Sequence, residues 1–437
     1  MRKICYMLLA MSLVLTGCSG SGSDFSGPQV GTAACTNDAQ KQFVLDVMRD
    51  IYFWYDLLPV NVDLSLHASP EALLAFLIES QPLDNFSFIT SAASDAQFFG
   101  EGQFEGFGFS TRFESADDLR FTRVFSGSPA AQAGFQRGQR IVELGGRPIA
   151  DIVATEGAEG VFAVFDQSPL DYLIRNLDGS EFSVTVSHDI VTINPLPQWR
   201  VIDLGGAPVG YVELATFVST ADAAFDTVFS DFTAAGVTDV IIDMRYNGGG
   251  LVNTARLLGD YLGGLVPGRI FSLTVFNDKN TALNETELFE PFVDTSIGLS
   301  RLVVIATSGT ASASELVINS MEPHADVTIV GDTTFGKPVG QVGVQFCDKI
   351  LRATAFETLN ALSEGGYFDG LPVDCPTPDD LTEVVGAATD PNLMTALTVV
   401  ETGACPAPTG MLKVEFDQAP PQAELRGPAW REFAGAF

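Results

Sequence analysis

From about Pro195 onward, continuous apolar runs alternate with helical ones. VGYVELATF (209–217), VTDVIIDMR (237–245), RLVVIATS (301–308) and ADVTIVG (325–331) each set apolar residues side by side, so neither face of such a strand belongs in water. Between them, ADAAFDTVFSDFTAAG (221–236), NTARLLGDYL (253–262) and ASELVINSM (313–321) place apolar residues at helical spacing. Strands buried on both faces and joined through helices favour one solution, a layered α/β domain around a largely parallel or mixed sheet. In such sheets reactive groups collect where strands end and helices begin.

Three of these strand ends carry suitable chemistry. After RLVVIATS come small residues and then Ser312-Ala313-Ser314-Glu315. A serine at the mouth of a helix has backbone amides beside it and a helix dipole that favours a developing oxyanion. A capping box formed by Ser312 and Glu315 would account for the same two residues. After ADVTIVG comes Asp332–Gln341, which holds Lys337, one of only six lysines in the chain. Beside a dry pocket, desolvation disfavours the ammonium, so a lysine there can be neutral and accept a proton from a serine; on a wet surface it would be an ion-pair partner. After VTDVIIDMR comes Tyr246-Asn247-Gly248-Gly249-Gly250, where glycines let backbone amides approach a ligand. Neither GK[ST] nor GxGxxG accompanies them, so oxyanion donors are a better use of this loop than phosphate binding.

The charge balance removes other functions. Asp and Glu number 55 against 23 Lys and Arg, a formal charge of −32. Nucleic acid needs clustered cations and is excluded as a partner. Three histidines, with no HExxH and no CxxC, speak against a zinc site, and the chemistry expected needs neither metal nor cofactor.

The first residues put Arg2 and Lys3 before a short apolar run from Ile4 to Leu15, the layout of an export signal. Leu15-Thr16-Gly17-Cys18 resembles the lipobox of bacterial lipoproteins. By that resemblance Cys18 is lipidated and anchors the mature chain to a membrane; a plain signal peptide cut nearby is the alternative. Ser19 after Cys18 points to the outer membrane, and so to the periplasm. Ser19–Gly31 then reads as a flexible tether. In an exported protein Cys35, Cys347, Cys375 and Cys405 permit three pairings, of which Cys347 with Cys375 would close a modest loop in the C-terminal part.

Two further segments lie between the tether and the α/β part. QKQFVLDVMRDIYFWYDLLP (40–59) and Pro70–Glu79 read as helices, and the aromatic cluster Tyr52–Tyr55 reads as packing material rather than a ligand surface. From about Phe104 to Val191 the pattern turns to short strands. GFGFSTRF and LRFTRVF alternate, and LDGSEFSVTV reads as a hairpin about Asp178-Gly179. Between them, SGSPAAQAGFQRGQRIVELGGRPI resembles a PDZ domain, with a Ser-Pro-Ala helix start, an Ala-Gly break, a strand and a Gly-Gly turn. In that family the backbone amides of a loop shaped like Gly106-Phe107-Gly108-Phe109 receive the C-terminal carboxylate of a peptide.

Together, Asp243–Gly250, Ser312–Glu315 and Thr334–Lys337 with Gln341 resemble the motifs of the carboxyl-terminal processing peptidases: a D-x-R-x-N-x-G-G loop, then S-A-S-E, then T-F-G-K with Gln four residues on. The interval from Ser to Lys, 337 − 312 = 25, matches as well. The resemblance implies a multidomain α/β protein. It would comprise a lipoprotein signal at 1–17, a tether at 18–36, a small helical N-terminal segment at 37–100, a PDZ-like β-rich domain at 104–191 and a crotonase- and ClpP-like protease core at 195–437. It implies Ser312 as nucleophile, Lys337 as general base, Gln341 as the group that orients the lysine, and the amides of Gly249 and Ala313 as oxyanion hole. The substrates implied are exported proteins or peptides with free C-termini, captured by Gly106, Phe107, Gly108 and Phe109 and cut near the tail through an acyl-enzyme. Oligomeric state is left open. The competing readings are a catalytically idle binding lipoprotein and an esterase or acyl transferase on the same dyad.

Overall fold

The computed structural model describes residues 35–407, so Cys18 and nearly all of the expected tether lie outside the described residues. The apolar runs form a six-stranded sheet in the order Trp199–Leu204, Ala207–Glu213, Asp239–Asp243, Arg301–Ala306, Asp326–Gly331 and Cys375–Pro376. The first pair is antiparallel and every later pair parallel. Both faces are covered. Val240 and Ile242 turn to one side, where helices Thr220–Ala235, Val252–Leu262 and Ala313–Met321 supply Phe225, Leu258 and Leu316. Ile241 turns to the other, against Leu393 and Val399 of helix Pro391–Thr402. The period-2 alternation of a strand thus serves two cores at once, which is why segments such as Val240-Ile241-Ile242 are apolar at consecutive positions.

A second, antiparallel sheet was not foreseen. The hairpin of Val339–Phe346 and Lys349–Leu359 is its spine, flanked by Phe88–Ser91, Ile270–Phe276 and Glu285–Leu288. The N-terminal helices Asn37–Ile51 and Pro70–Ile78 cover this sheet, with Phe43, Val47, Met48 and Leu73 packed on Phe346, Leu351 and Ala353. Tyr52 is fully buried in the same cluster, as a packing role requires. The N-terminal segment is therefore not purely helical: it gives one strand, Phe88–Ser91, to a sheet built mostly from the C-terminal half.

Between these parts lies a β-rich unit whose sheet runs Phe109–Ser115, Asp118–Val124, Arg140–Leu144, Leu170–Arg175 and Glu181–Val186, with Arg147–Pro148 beside the third strand. The hairpin expected at Asp178-Gly179 is present. A helix over Ile149–Phe165, kinked at Gly157, packs on this sheet; its glycines hide it from a periodicity reading.

The cysteines correct one expectation. Cys347 pairs with Cys35 and Cys375 with Cys405, so Cys347 and Cys375 are not joined. They sit on different sheets. Cys347 makes the corner of the hairpin beside the start of helix Asn37–Ile51, and Cys375 lies on the edge strand of the parallel sheet, where the chain leaving helix Pro391–Thr402 reaches it. Among the described residues no helix is long and apolar enough to cross a membrane.

Candidate active site

Strand Arg301–Ala306 ends in a turn that delivers Ser312 to the start of helix Ala313–Met321. Ser312 has φ +57° and ψ −116°, a conformation that L residues rarely adopt and that persists only where its surroundings enforce it. Those surroundings are the glycine loop. Ala311 N–H donates to Asn247 O at 3.0 Å, and Ser314 Oγ donates to the same oxygen at 3.0 Å. Gly249 has φ +103°, and a Cβ there would stand 2.8 Å from Ala311 O, Ala313 N and Ser312 Cβ, so only glycine lets the two loops approach this closely.

Strand Asp326–Gly331 ends in the turn that carries Lys337. The lysine is 5 % exposed. Its Nζ donates to Gln341 Oε1 at 2.8 Å and stands 5.2 Å from the centre of the Phe86 ring. Gln341 follows a bulge in its strand, and its Nε2 donates to Phe86 O, which fixes the amide with Oε1 towards the lysine.

Glu315 does more than cap a helix. Its Oε2 accepts from Ser312 N–H and Lys337 N–H, each at 2.8 Å, and its Oε1 accepts from Thr334 Oγ at 2.6 Å and Gly336 N–H at 2.7 Å. One fully buried carboxylate therefore ties the serine turn to the lysine turn. Burial pushes its carboxyl above the usual range, and the Thr334 hydroxyl and the three amides oppose that rise. The S-A-S-E motif placed Glu315 beside the serine, but nothing in it disclosed the bonds to the lysine turn.

The expected site residues divide between two cavities. Ser312, Lys337, Gln341 and Gly249 line one of about 280 Å³, whose other walls include Phe88, Phe98, Val252 and Phe356. Gly106, Phe107, Gly108 and Phe109 line a separate one of about 130 Å³ in the β-rich unit, closed by Phe162, Phe165 and His188. There Gly108 has φ +85°, and a Cβ would lie 2.2 Å from Ser128 Cβ. Of the two amides expected to face an oxyanion, that of Gly249 donates to Asn247 Oδ1 at 3.0 Å. Ala313 begins the helix directly after the serine.

Sequence reasoning also missed the setting of Arg245. This residue is 1 % exposed and donates to Asp243 through Nε (3.0 Å) and Nη2 (2.6 Å), to Asp390, and to Asp379 at 3.1 Å. Asp379 and Asp390 come from 134 and 145 residues further along the chain, a separation no local pattern can signal.

The family model described as "Peptidase family S41" matches residues 208–368, and one described as "Peptidase S41 N-terminal domain" matches 39–88. The chain is 29 % identical over 263 residues to a chloroplastic C-terminal processing peptidase of Tetradesmus obliquus, covering 56 % of this chain and 54 % of that protein. It is 23 % identical over 310 residues to a carboxy-terminal-processing protease of Bartonella bacilliformis, covering 68 % and 67 %. The chain thus spans about half to two thirds of the length of these curated relatives. A crystal structure of a Bacteroides fragilis protein assigned to the S41 proteases superposes with a TM-score of 0.65 at 24 % identity, over 82 % of this chain and 97 % of that one, a likeness of fold. On these matches, the chain belongs to peptidase family S41, with the carboxyl-terminal processing peptidases.

Proposed function

We propose that this protein is a serine endopeptidase of the carboxyl-terminal processing type, working through Ser312 and Lys337. The observation that carries the reading is the shared cavity of a half-buried serine and a buried lysine whose Nζ donates to Gln341 Oε1. Acting as general base in its neutral form, the lysine takes the Ser312 proton as Oγ attacks the scissile carbonyl. The C–N bond then breaks, the lysine returns the proton to the leaving amine, and an acyl-enzyme remains. Water, deprotonated by the same lysine, hydrolyses the ester and restores Ser312. The amide of Ala313 faces the developing oxyanion; that of Gly249 joins it on exchanging its Asn247 acceptor for the substrate oxygen.

The aromatic walls of the cavity suit an apolar side chain at the cut. The residues 104–191 would form the PDZ-like domain, with the groove at Gly106–Phe109 taking the substrate's C-terminus and residues 195–437 forming the protease core. Two disulfides fit an oxidising compartment, which agrees with export and with a lipid anchor at Cys18.

The test uses the chain without residues 1–18, beside its Ser312→Ala and Lys337→Ala variants, on an unfolded protein ending in apolar residues. Fragments of intermediate size should come from the wild type alone, with both variants folded and inactive. Wild-type rates in either variant would sink the dyad. Binding of the tail with no cleavage by any of the three would favour the binding lipoprotein, and turnover of small esters alone would favour the esterase.

A further inference from the structure

Tyr246 stands one residue before Asn247, whose side chain holds the Gly249 amide and whose carbonyl holds Ala311 and Ser314. Its backbone has φ +61°, a second strained non-glycine residue beside the site. Its N–H donates to Thr307 Oγ1 at 3.4 Å in the turn that leads to the serine, and its side chain is anchored further off. The Tyr246 hydroxyl donates to Asp379 and accepts from Arg137 Nη1 at 2.7 Å. Asp379 lies outside the residues 208–368 that the family model matches, in the loop between strand Cys375–Pro376 and helix Pro391–Thr402. Its side chain is 5 % exposed and receives Arg137 at 2.6 Å, Arg112 at 3.0 Å and Arg245 at 3.1 Å.

Arg112 and Arg137 come from the β-rich unit, whereas Arg245 and Tyr246 belong to the glycine loop. One carboxylate therefore joins three stretches of chain that share no strand pairing. Each guanidinium is paired: all three meet Asp379, Arg112 also meets Glu114, and Arg245 also meets Asp243 and Asp390. A buried carboxylate so surrounded is held in one place by several charge-assisted bonds, and it holds its partners as firmly.

We propose that Asp379 is a positioning residue for the peptidase reaction, acting through Tyr246 and Arg245 to keep Asn247–Gly250 in register with Ser312. This rests on the serine peptidase reading, but it concerns a residue that touches neither substrate nor dyad.

The experiment compares wild type with Asp379→Asn, which keeps the shape and removes the charge, and with Tyr246→Phe, which removes one hydroxyl and leaves the guanidiniums their carboxylate. Peptide cleavage, amide hydrogen exchange and thermal midpoint are measured on each. Asp379→Asn should lower kcat by roughly tenfold to a hundredfold with KM within about twofold, because the loss is of alignment rather than of substrate contacts. Tyr246→Phe should lower kcat less, by about threefold to tenfold, with the midpoint lowered by only a few degrees. In both, exchange at Asn247–Gly250 should quicken while strand Asp239–Asp243 stays protected. Unchanged kcat and unchanged exchange at 247–250 overturn the proposal. So does a loss of activity that only follows a lowered midpoint with exchange quickened throughout. If the wild type cleaves nothing, the peptidase reading falls, and the exchange measurement still decides whether Asp379 holds the loop.

Discussion

Two buried carboxylates, one bonded to both dyad turns and one beyond the glycine loop, are satisfied in opposite ways. Glu315 accepts from four uncharged donors, three amides and one hydroxyl, and burial pushes its carboxyl up. Asp379 accepts from three guanidiniums and a phenol; burial works against its charge too, but Arg137, Arg245 and Arg112 outweigh it and hold the carboxyl at about 2. Neutral donors fix a carboxylate by geometry, whereas cations fix it by field as well. The first arrangement suits a place where two short turns must keep a set spacing. The second suits a junction between distant segments, where attraction has to act before the geometry is complete.

Removing Glu315 should give the largest effect. Glu315→Ala strands four buried donors at about 1–3 kcal/mol each before relaxation, so several kcal/mol of stability and all cleavage should be lost, as denaturant unfolding and a peptide assay would register. Glu315→Gln tests the comparison more sharply. Its amide can accept at one end only, so two of the four donors lose their acceptor, and activity should fall by about a hundredfold with the fold retained. If Glu315→Gln cleaves at the wild-type rate, Glu315 is a helix cap and nothing more.

On the charged side the ranking follows burial. Arg245→Ala leaves Asp243 and Asp390 buried without a cation and should destabilise by about 3–5 kcal/mol. Arg112, with its side chain 27 % exposed, should cost only about 1 kcal/mol when replaced by Ala. Urea unfolding of both variants checks the order, and equal losses would mean that the network acts as one unit in which every cation counts alike.

The same contrast explains what the sequence disclosed. Ser312, Lys337 and Gln341 each stand at a strand end or a few residues beyond it, so short patterns found them, and the cavity gathers all three. The parallel sheet was legible because strands buried on both faces leave continuous apolar runs. The antiparallel sheet was not: VGQVGVQF is broken by glycines, and KILRATAFETL mixes polar and apolar residues as a strand with helices on one side and a cavity on the other must. Asp379 was invisible because its partners are at positions 112, 137, 245 and 246, and only the folded chain brings these together. The disulfides misled for the same reason, since closeness along the chain says little about two cysteines on separate sheets.

Asp260 supplies the finest test of whether the number of cations decides the matter. It sits near the end of helix Val252–Leu262, its side chain 3 % exposed, accepting from Glu290 N–H at 2.7 Å and from a single guanidinium, Arg256, at 3.0 Å. Burial raises its carboxyl to about 6; Glu290 N–H and Arg256 pull the other way, and the nearby Glu290 and Glu287 charges add to the rise. A folded value above the unfolded one means that the native state binds more protons between about pH 4 and 6, so stability falls as pH rises through that window. Asp379 has the reverse sign: its contribution is complete above about pH 4 and is lost only as pH falls towards 2. Asp260→Asn should therefore match the wild type near pH 4 and exceed its thermal midpoint by roughly 1–3 °C at pH 7. A variant less stable than wild type at pH 7 would show that one guanidinium is enough to compensate the buried charge, and the contrast drawn from Asp379 would have to rest on geometry instead.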